Sequence, residues 1–199
     1  MHTTTYHITG LFAILLAILL GCGPAGKKEN TDLTPWLQQG DSLRDLSQKT
    51  LMKALMGAGA DSVPEQAVAF CHEEAAGLLS AIGEKENIQV QRLAERYRNP
   101  KNALRSEDLP IWEKWKSQLS QGQSIHPEVV EEQGGMMVYR APLFLGMPLC
   151  EKCHGDENNF SAALRQTLAQ LYPEDQALHF RQGDLRAMWK ITFLPLSVQ

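Results

Sequence analysis

Two thiols stand three positions apart in Cys150-Glu151-Lys152-Cys153-His154, with an imidazole directly after the second. Thiols so placed reach the two vinyl groups on one edge of a porphyrin and form thioethers. The next side chain then falls beneath the ring, with a nitrogen aimed at the iron. The motif therefore predicts one covalently bound haem c, with His154 as an axial ligand. Three other chemistries use paired cysteines. A redox dithiol of the thioredoxin kind stands early in its domain, after a first βαβ pattern, whereas this pair comes late in the chain. A zinc site needs four ligands, and only Cys71 or His179 would supply a third. A plain disulfide is the weakest reading, because bridges of this spacing serve redox work more often than stapling.

The chain holds four cysteines, the other two being Cys22 and Cys71. Cys22 follows the apolar run from Leu11 to Leu20 through Leu19-Leu20-Gly21, a pattern that resembles the lipobox of bacterial lipoproteins. The run is shorter than the ~20 residues of a membrane-spanning helix, so it reads as an export signal. Cleavage before Cys22 and a diacylglyceryl group on its thiol are expected, which places the protein in the bacterial cell envelope, anchored to a membrane and facing the periplasm or exterior. The segment before the run departs from the usual pattern, with His2 and His7 but no Lys or Arg. An uncleaved N-terminal anchor is the alternative, and it too puts the chain outside the cytoplasm, where haem attachment of this kind takes place. The expected division is residues 1–21 as signal peptide, 22–35 as a small, polar tether and 36–199 as one domain. If Cys22 carries lipid, three thiols remain, one too many for a disulfide framework. A net charge of −4 with no long basic run gives no basis for nucleic-acid binding.

A six-coordinate haem needs a ligand opposite His154. By residue type the choices are Cys71, His72, His126, His179, Met136, Met137, Met147 and Met188. Cys71 shares an apolar helical stripe with Val68 and Ala75, while His72 turns about 100° away beside Glu73. Spacing alone leaves Cys71 open between a ligand and an inert buried thiol. The haem propionates need cationic partners, and Arg98, Arg140 and Arg186 have the right chemistry. Trp112 and Trp115, three apart, read as core.

The elements that must position these residues follow from periodicity. Leucines at 37, 43, 46, 51 and 55 predict a helix from Trp36 to Met56, broken by Gly57-Ala58-Gly59-Ala60. Asp61 or Ser62 would cap a second helix, with Pro64 in its first turn and Glu65 completing a capping box. That helix carries Cys71 and runs to Ile82, where Gly83 stops it. A strand is expected from Ile88, a loop over Arg98–Asn102, and a short helix from Pro110 to Leu119. Met136–Ala141 reads as a strand continuing extended towards Cys150, and Ser161–Leu171 as a helix. A last strand covers Leu185–Phe193, with Trp189, Ile191 and Phe193 on one face. Helices with antiparallel strands make the fold class α+β.

Several segments recur together in one order: Ala67-Val68-Ala69-Phe70-Cys71, Tyr97-Arg98-Asn99-Pro100-Lys101-Asn102-Ala103, Trp112-Glu113, Tyr139-Arg140-Ala141-Pro142-Leu143, Cys150 to Gly155, and Gly183-Asp184-Leu185-Arg186. Together they resemble a bacterial family of PAS-like single-haem c-type domains, seen in a cyanobacterial cytochrome and fused to sensor kinases. The resemblance covers roughly Ser47 to Phe193. It implies a PAS-like antiparallel sheet with N-terminal helices and haem on one side. It also implies that Cys71 is the axial ligand opposite His154. Leu104 stands where the family usually has proline, in a loop and not at a ligand. A thiolate ligand stabilises ferric iron and lowers the reduction potential. The expected role is electron transfer or redox sensing with a separate redox or signalling protein as partner, and not enzymatic turnover. A gas- or redox-responsive sensor module is the alternative, and a small peroxidase a further one that a Cys71 ligand would oppose.

Overall fold

The computed structural model describes residues 1–2, 31–84 and 87–195. The chain divides into Met1–Thr31 and Asp32–Gln199, and the fold below is that of the second unit. Cys22 lies outside the described residues. Among the described residues, no helix is long and apolar enough to cross a membrane.

Pro35 in its first turn and a leucine rhythm produce α1 (Thr34–Gly57). Its buried positions, Gly40, Leu43, Ser47 and Leu51, recur every three or four residues and form one stripe. Gly40 is the point of closest approach: a Cβ there would sit 2.2 Å from a ring carbon of Tyr139. That ring is held from its far end, because Tyr139 Oη donates to Asp41 (2.7 Å) and accepts from Arg44 (3.0 Å).

The single helix expected from Pro64 to Ile82 is two, α2 (Pro64–Glu73) and α3 (Ala75–Gly83). Val63 stands at the N-cap of α2 with no side-chain cap bond, so the Ser62–Glu65 capping box does not form. The break at Glu74 (φ −112°, ψ −27°) has no breaker residue behind it. Packing decides it, since the two pieces serve different partners and tertiary contacts outweigh propensity. Val68 of α2 joins Leu164, Leu168 and Tyr172, whereas Leu79 of α3 joins the sheet core. Gly83 lets α3 meet the sheet, a Cβ there lying 2.0 Å from the Ile88 carbonyl oxygen.

Four strands, β1 (Ile88–Leu93), β2 (Glu128–Glu132), β3 (Met136–Phe144) and β4 (Leu185–Phe193), form an antiparallel sheet in the order β1-β4-β3-β2. The period of two puts Tyr139, Ala141, Trp189, Ile191 and Phe193 on the face covered by α1 and α3. The opposite face packs Met188 against Trp112 and Trp115 of α4 (Leu109–Ser120). The fold is α+β and PAS-like, with helices N-terminal to the sheet. Strand β2 went unforeseen: its Glu-Val-Val-Glu-Glu has little apolar alternation, and it survives as an edge paired only with β3.

One ion cluster is buried beneath α4. Asp108, fully buried, accepts from Arg140 Nε at 2.8 Å and lies 2.9 Å from Lys190 Nζ, with Glu132 and Glu107 at the rim. Arg140 is thus committed to this cluster, which removes it from the propionate candidates.

Strands β3 and β4 are paired along most of their length, from Met137↔Phe193 to Phe144↔Leu185. The chain between them makes a long excursion containing α5 (Pro148–His154) and α6 (Ala162–Leu171). It is pinned shut at its base, where Leu145 N donates to the Asp184 carbonyl and Gly183 N to the Leu145 carbonyl, each at 2.9 Å.

Candidate functional site

Pro148 and Leu149, expected to be extended, instead start α5, and the whole Cys150–His154 motif winds within this one short helix. Positions 150, 153 and 154 are related as i, i+3 and i+4, so both thiols and the imidazole share one side of the turn. Both thiols are free and partly buried. Cys150 packs on Leu145, Ala177 and Phe180, and Cys153 on the cluster that α2 and α6 build.

His154 Nδ1 lies 2.8 Å from the Ala177 carbonyl oxygen. A carbonyl only accepts, so Nδ1 carries the hydrogen and Nε2 is left as a bare lone pair. Burial, then the charges of Arg98 and Arg186, hold the imidazole well below its ordinary value, so it is neutral at pH 7. A neutral ring with one nitrogen tied to a carbonyl is the form in which histidine binds a metal. The backbone repeats the grip: Phe180 N donates to the His154 carbonyl (2.9 Å) and His179 N to that of Gly155 (2.8 Å). Phe180 also meets the imidazole edge-on, with centroids 6.5 Å apart.

Cys71 sits on α2, which packs against both α6 and α5. Lys152 ties α5 to the turn before α2, its Nζ 2.6 Å from both the carbonyl and the carboxylate of Asp61. Burial pushes the Cys71 thiol up, and Arg92 and Arg98 draw it back. Cys153 is raised to about 11 by burial, against the pull of Arg98 and with a further push from Cys71. Arg92 and Arg98 thus act on Cys71 and His154 alike, and these side chains border one neighbourhood. The other ligand choices fall elsewhere. Met137 lies in the α1–sheet core and Met188 in the α4 core. Met147, His126 and His72 are exposed, His72 against the edge of Tyr172 at 5.0 Å. His179 is exposed 3.9 Å from Asp156, and Met136 opens β3 opposite Glu132. The zinc reading has no ligand set, since no three His, Cys, Asp or Glu among the described residues form a metal-holding group.

Of the other two arginines considered for propionates, Arg98 is spent on protein groups: its Nε donates to Asp175 (2.9 Å) and its Nη2 to the Cys153 carbonyl. Arg186 is different. Its Nη1 donates to the Arg96 carbonyl (3.1 Å) and its guanidinium lies 5.0 Å from the Phe180 ring centroid. Its Nε, however, is buried with no partner. Burial, then Arg92 and Arg98, hold this guanidinium down to about 9, with Asp175 opposing. A buried cation surrounded by cations is an unfinished electrostatic arrangement that carboxylates would complete. Two cavities adjoin the site. One of about 560 Å³ is bounded by Glu65, Lys152, Gly155, Phe160 and Leu164. One of about 380 Å³ is bounded by Arg96, Trp112, Lys116, Phe180 and Arg186. Neither is lined by Cys71, Cys150, Cys153 or His154.

Sequence reasoning missed Asp175, Arg92, Arg96 and Phe180. The first lies in an ordinary-looking Pro-Glu-Asp turn, and nothing local points from it to residue 154.

The family model for Tll0287-like domains matches residues 30–193. The chain belongs to this family. The crystal structure of the cyanobacterial heme-protein Tll0287 has the same fold, with a TM-score of 0.62 at 22% sequence identity, over 83% of this chain and 98% of that one. No curated protein matches the chain. For this Tll0287-like domain the structural likeness establishes the architecture, and the donor set above is its own.

Proposed function

We propose that the protein binds one haem covalently through Cys150 and Cys153, and that His154 and Cys71 would hold its iron. We further propose that it works as a low-potential electron carrier or redox sensor, held in the cell envelope by lipid on Cys22. One observation carries the reading: the imidazole that follows the paired thiols is neutral and tied through Nδ1, and shares its arginine surroundings with a partly buried thiol on a neighbouring helix. The family membership and the heme-protein of like fold support it. Haem supplies a one-electron ferric/ferrous couple. The protein's part is to hold that couple in place and set its potential. Cys150 and Cys153 would fix the ring, His154 Nε2 offers a lone pair, and Cys71, whose thiol burial pushes up, would give up its proton on ligation to a thiolate that favours the ferric state. Arg186 Nε is the donor best placed by chemistry for a propionate.

The test is the full chain expressed in a host that loads c-type haem, as wild type and Cys71→Ser. Wild type is expected to show a low-spin ferric spectrum with thiolate character, lost in the variant. Colourless wild-type protein with both motif thiols open to alkylation sinks the haem reading. An unchanged variant spectrum removes Cys71 as ligand. Partition of wild type, but not Cys22→Ala, into the membrane fraction checks the anchor.

A further inference from the structure

Asp175 does not face the motif, yet two chains of hydrogen bonds lead from its carboxylate to the imidazole. Through one oxygen it accepts the Ala177 N–H at 2.8 Å, anchoring from its N-terminal side the residue whose carbonyl, in the next peptide, receives His154 Nδ1. Through the other it accepts Arg98 Nε at 2.9 Å. Arg98 then donates to the carbonyl of Cys153, the residue immediately before His154, and at 3.4 Å to the Ala177 carbonyl itself. Both side chains are nearly buried, at 11% exposure for Arg98 and 8% for Asp175, so water does not substitute easily for either partner. The adjoining backbone is clamped as well, Gln176 N donating to the Tyr97 carbonyl at 2.8 Å.

We propose that Asp175, acting through Arg98 and Ala177, is the positioning residue that selects the tautomer and orientation of His154. The inference rests on the haem reading for its consequence, but not for its geometry. Without the carboxylate, the Ala177 N–H and the Arg98 guanidinium lose their common anchor, so the Ala177 carbonyl is held less firmly, and Arg98 remains beside the motif as an uncompensated cation. A loosened Ala177 carbonyl no longer demands the hydrogen on Nδ1, so Nε2, the metal-facing nitrogen, becomes protonated in part of the molecules. In haem-loaded protein the unpaired Arg98 charge also disfavours ferric iron.

The experiment uses Asp175→Asn in the full chain, isosteric and without the charge. In haem-free protein, nitrogen NMR of the histidine side chains reads the His154 tautomer directly. Wild type is expected to hold the hydrogen on Nδ1, and the variant to shift the tautomer ratio at least tenfold towards Nε2. In haem-loaded protein the reduction potential is expected to rise by a tenfold change in the redox equilibrium, 59 mV for one electron. A folded variant whose tautomer ratio moves less than tenfold overturns the proposal, even where the potential shifts, because charge alone would explain that shift. If Asp175→Asn does not fold, Arg98→Lys, which keeps the charge but cannot span Asp175 and the Cys153 carbonyl, takes the same tautomer test. Failure of wild type to take up haem would refute the proposed function, while the haem-free arm would still decide the positioning role.

Discussion

Replacing Arg186 by methionine should stabilise haem-free protein and leave haem-loaded protein nearly unchanged. The guanidinium is held near 9, against an ordinary value above 12. At ~1.4 kcal/mol for each pH unit, that sets a ceiling of about 4–5 kcal/mol on what the buried charge costs the haem-free fold at neutral pH. Methionine fills a similar volume without charge. It gives up the bond to the Arg96 carbonyl and the contact with Phe180, worth ~1 kcal/mol each. The expected net gain is about 2–3 kcal/mol, or a Tm rise of roughly 5–10 °C for a domain this size. The sign with pH is definite. A base whose folded value is depressed costs the full amount below that value and recovers stability only as pH climbs from there towards the unfolded one. The difference between variant and wild type should therefore be flat from pH 6 to 8. Once haem is attached, the same substitution also removes a charge-assisted bond to a propionate, worth ~1.5–3 kcal/mol, so the gain in Tm should largely vanish. Calorimetry on both forms of both proteins is the assay. A lower Tm for the haem-free variant refutes the cost assigned to the buried cation. A rise of equal size in both forms refutes the propionate assignment.

Two further outcomes are expected. The His154 imidazole lies well below the ordinary 6.5 in the fold, so the unfolded chain takes up the proton first as pH falls. Haem-free wild type should lose up to ~1.4 kcal/mol per pH unit below 6.5, relative to His154→Gln, until the folded value is reached. Urea unfolding of both proteins at pH 7, 6 and 5 measures this, and parallel losses would contradict it. Asp108→Asn leaves Arg140 and Lys190 buried without their shared carboxylate and should cost about 3–5 kcal/mol. Denaturant midpoints check this, and a loss under ~1 kcal/mol would show that Glu132 and Glu107 suffice as partners.

Legibility from sequence depended on how far apart the cooperating residues are. The Cys150–His154 motif could be read because its three side chains are close in sequence, and one short helix suffices to gather them. The strand Leu185–Phe193 could be read because alternation is local, and the sheet bears out its Trp189, Ile191 and Phe193 face. The break at Glu74 was hidden because no residue there resists the helix, and only the divergent partners of Val68 and Leu79 separate its halves. Arg140 was misplaced because a guanidinium does not announce its carboxylate, and Asp108 arrives from the start of α4. The hold on His154 was hidden for the same reason: residues 98, 175 and 177 meet only once the sheet has brought their segments together.

The motif-bearing excursion is joined to the rest of the domain at a seam between two strands that already face one another. The ladder beside that seam meets the entropic cost of closing the insertion, so a prosthetic group arriving there need not supply it. Such an arrangement lets the sheet hold the two ends of the inserted segment in register independently of what lies between them.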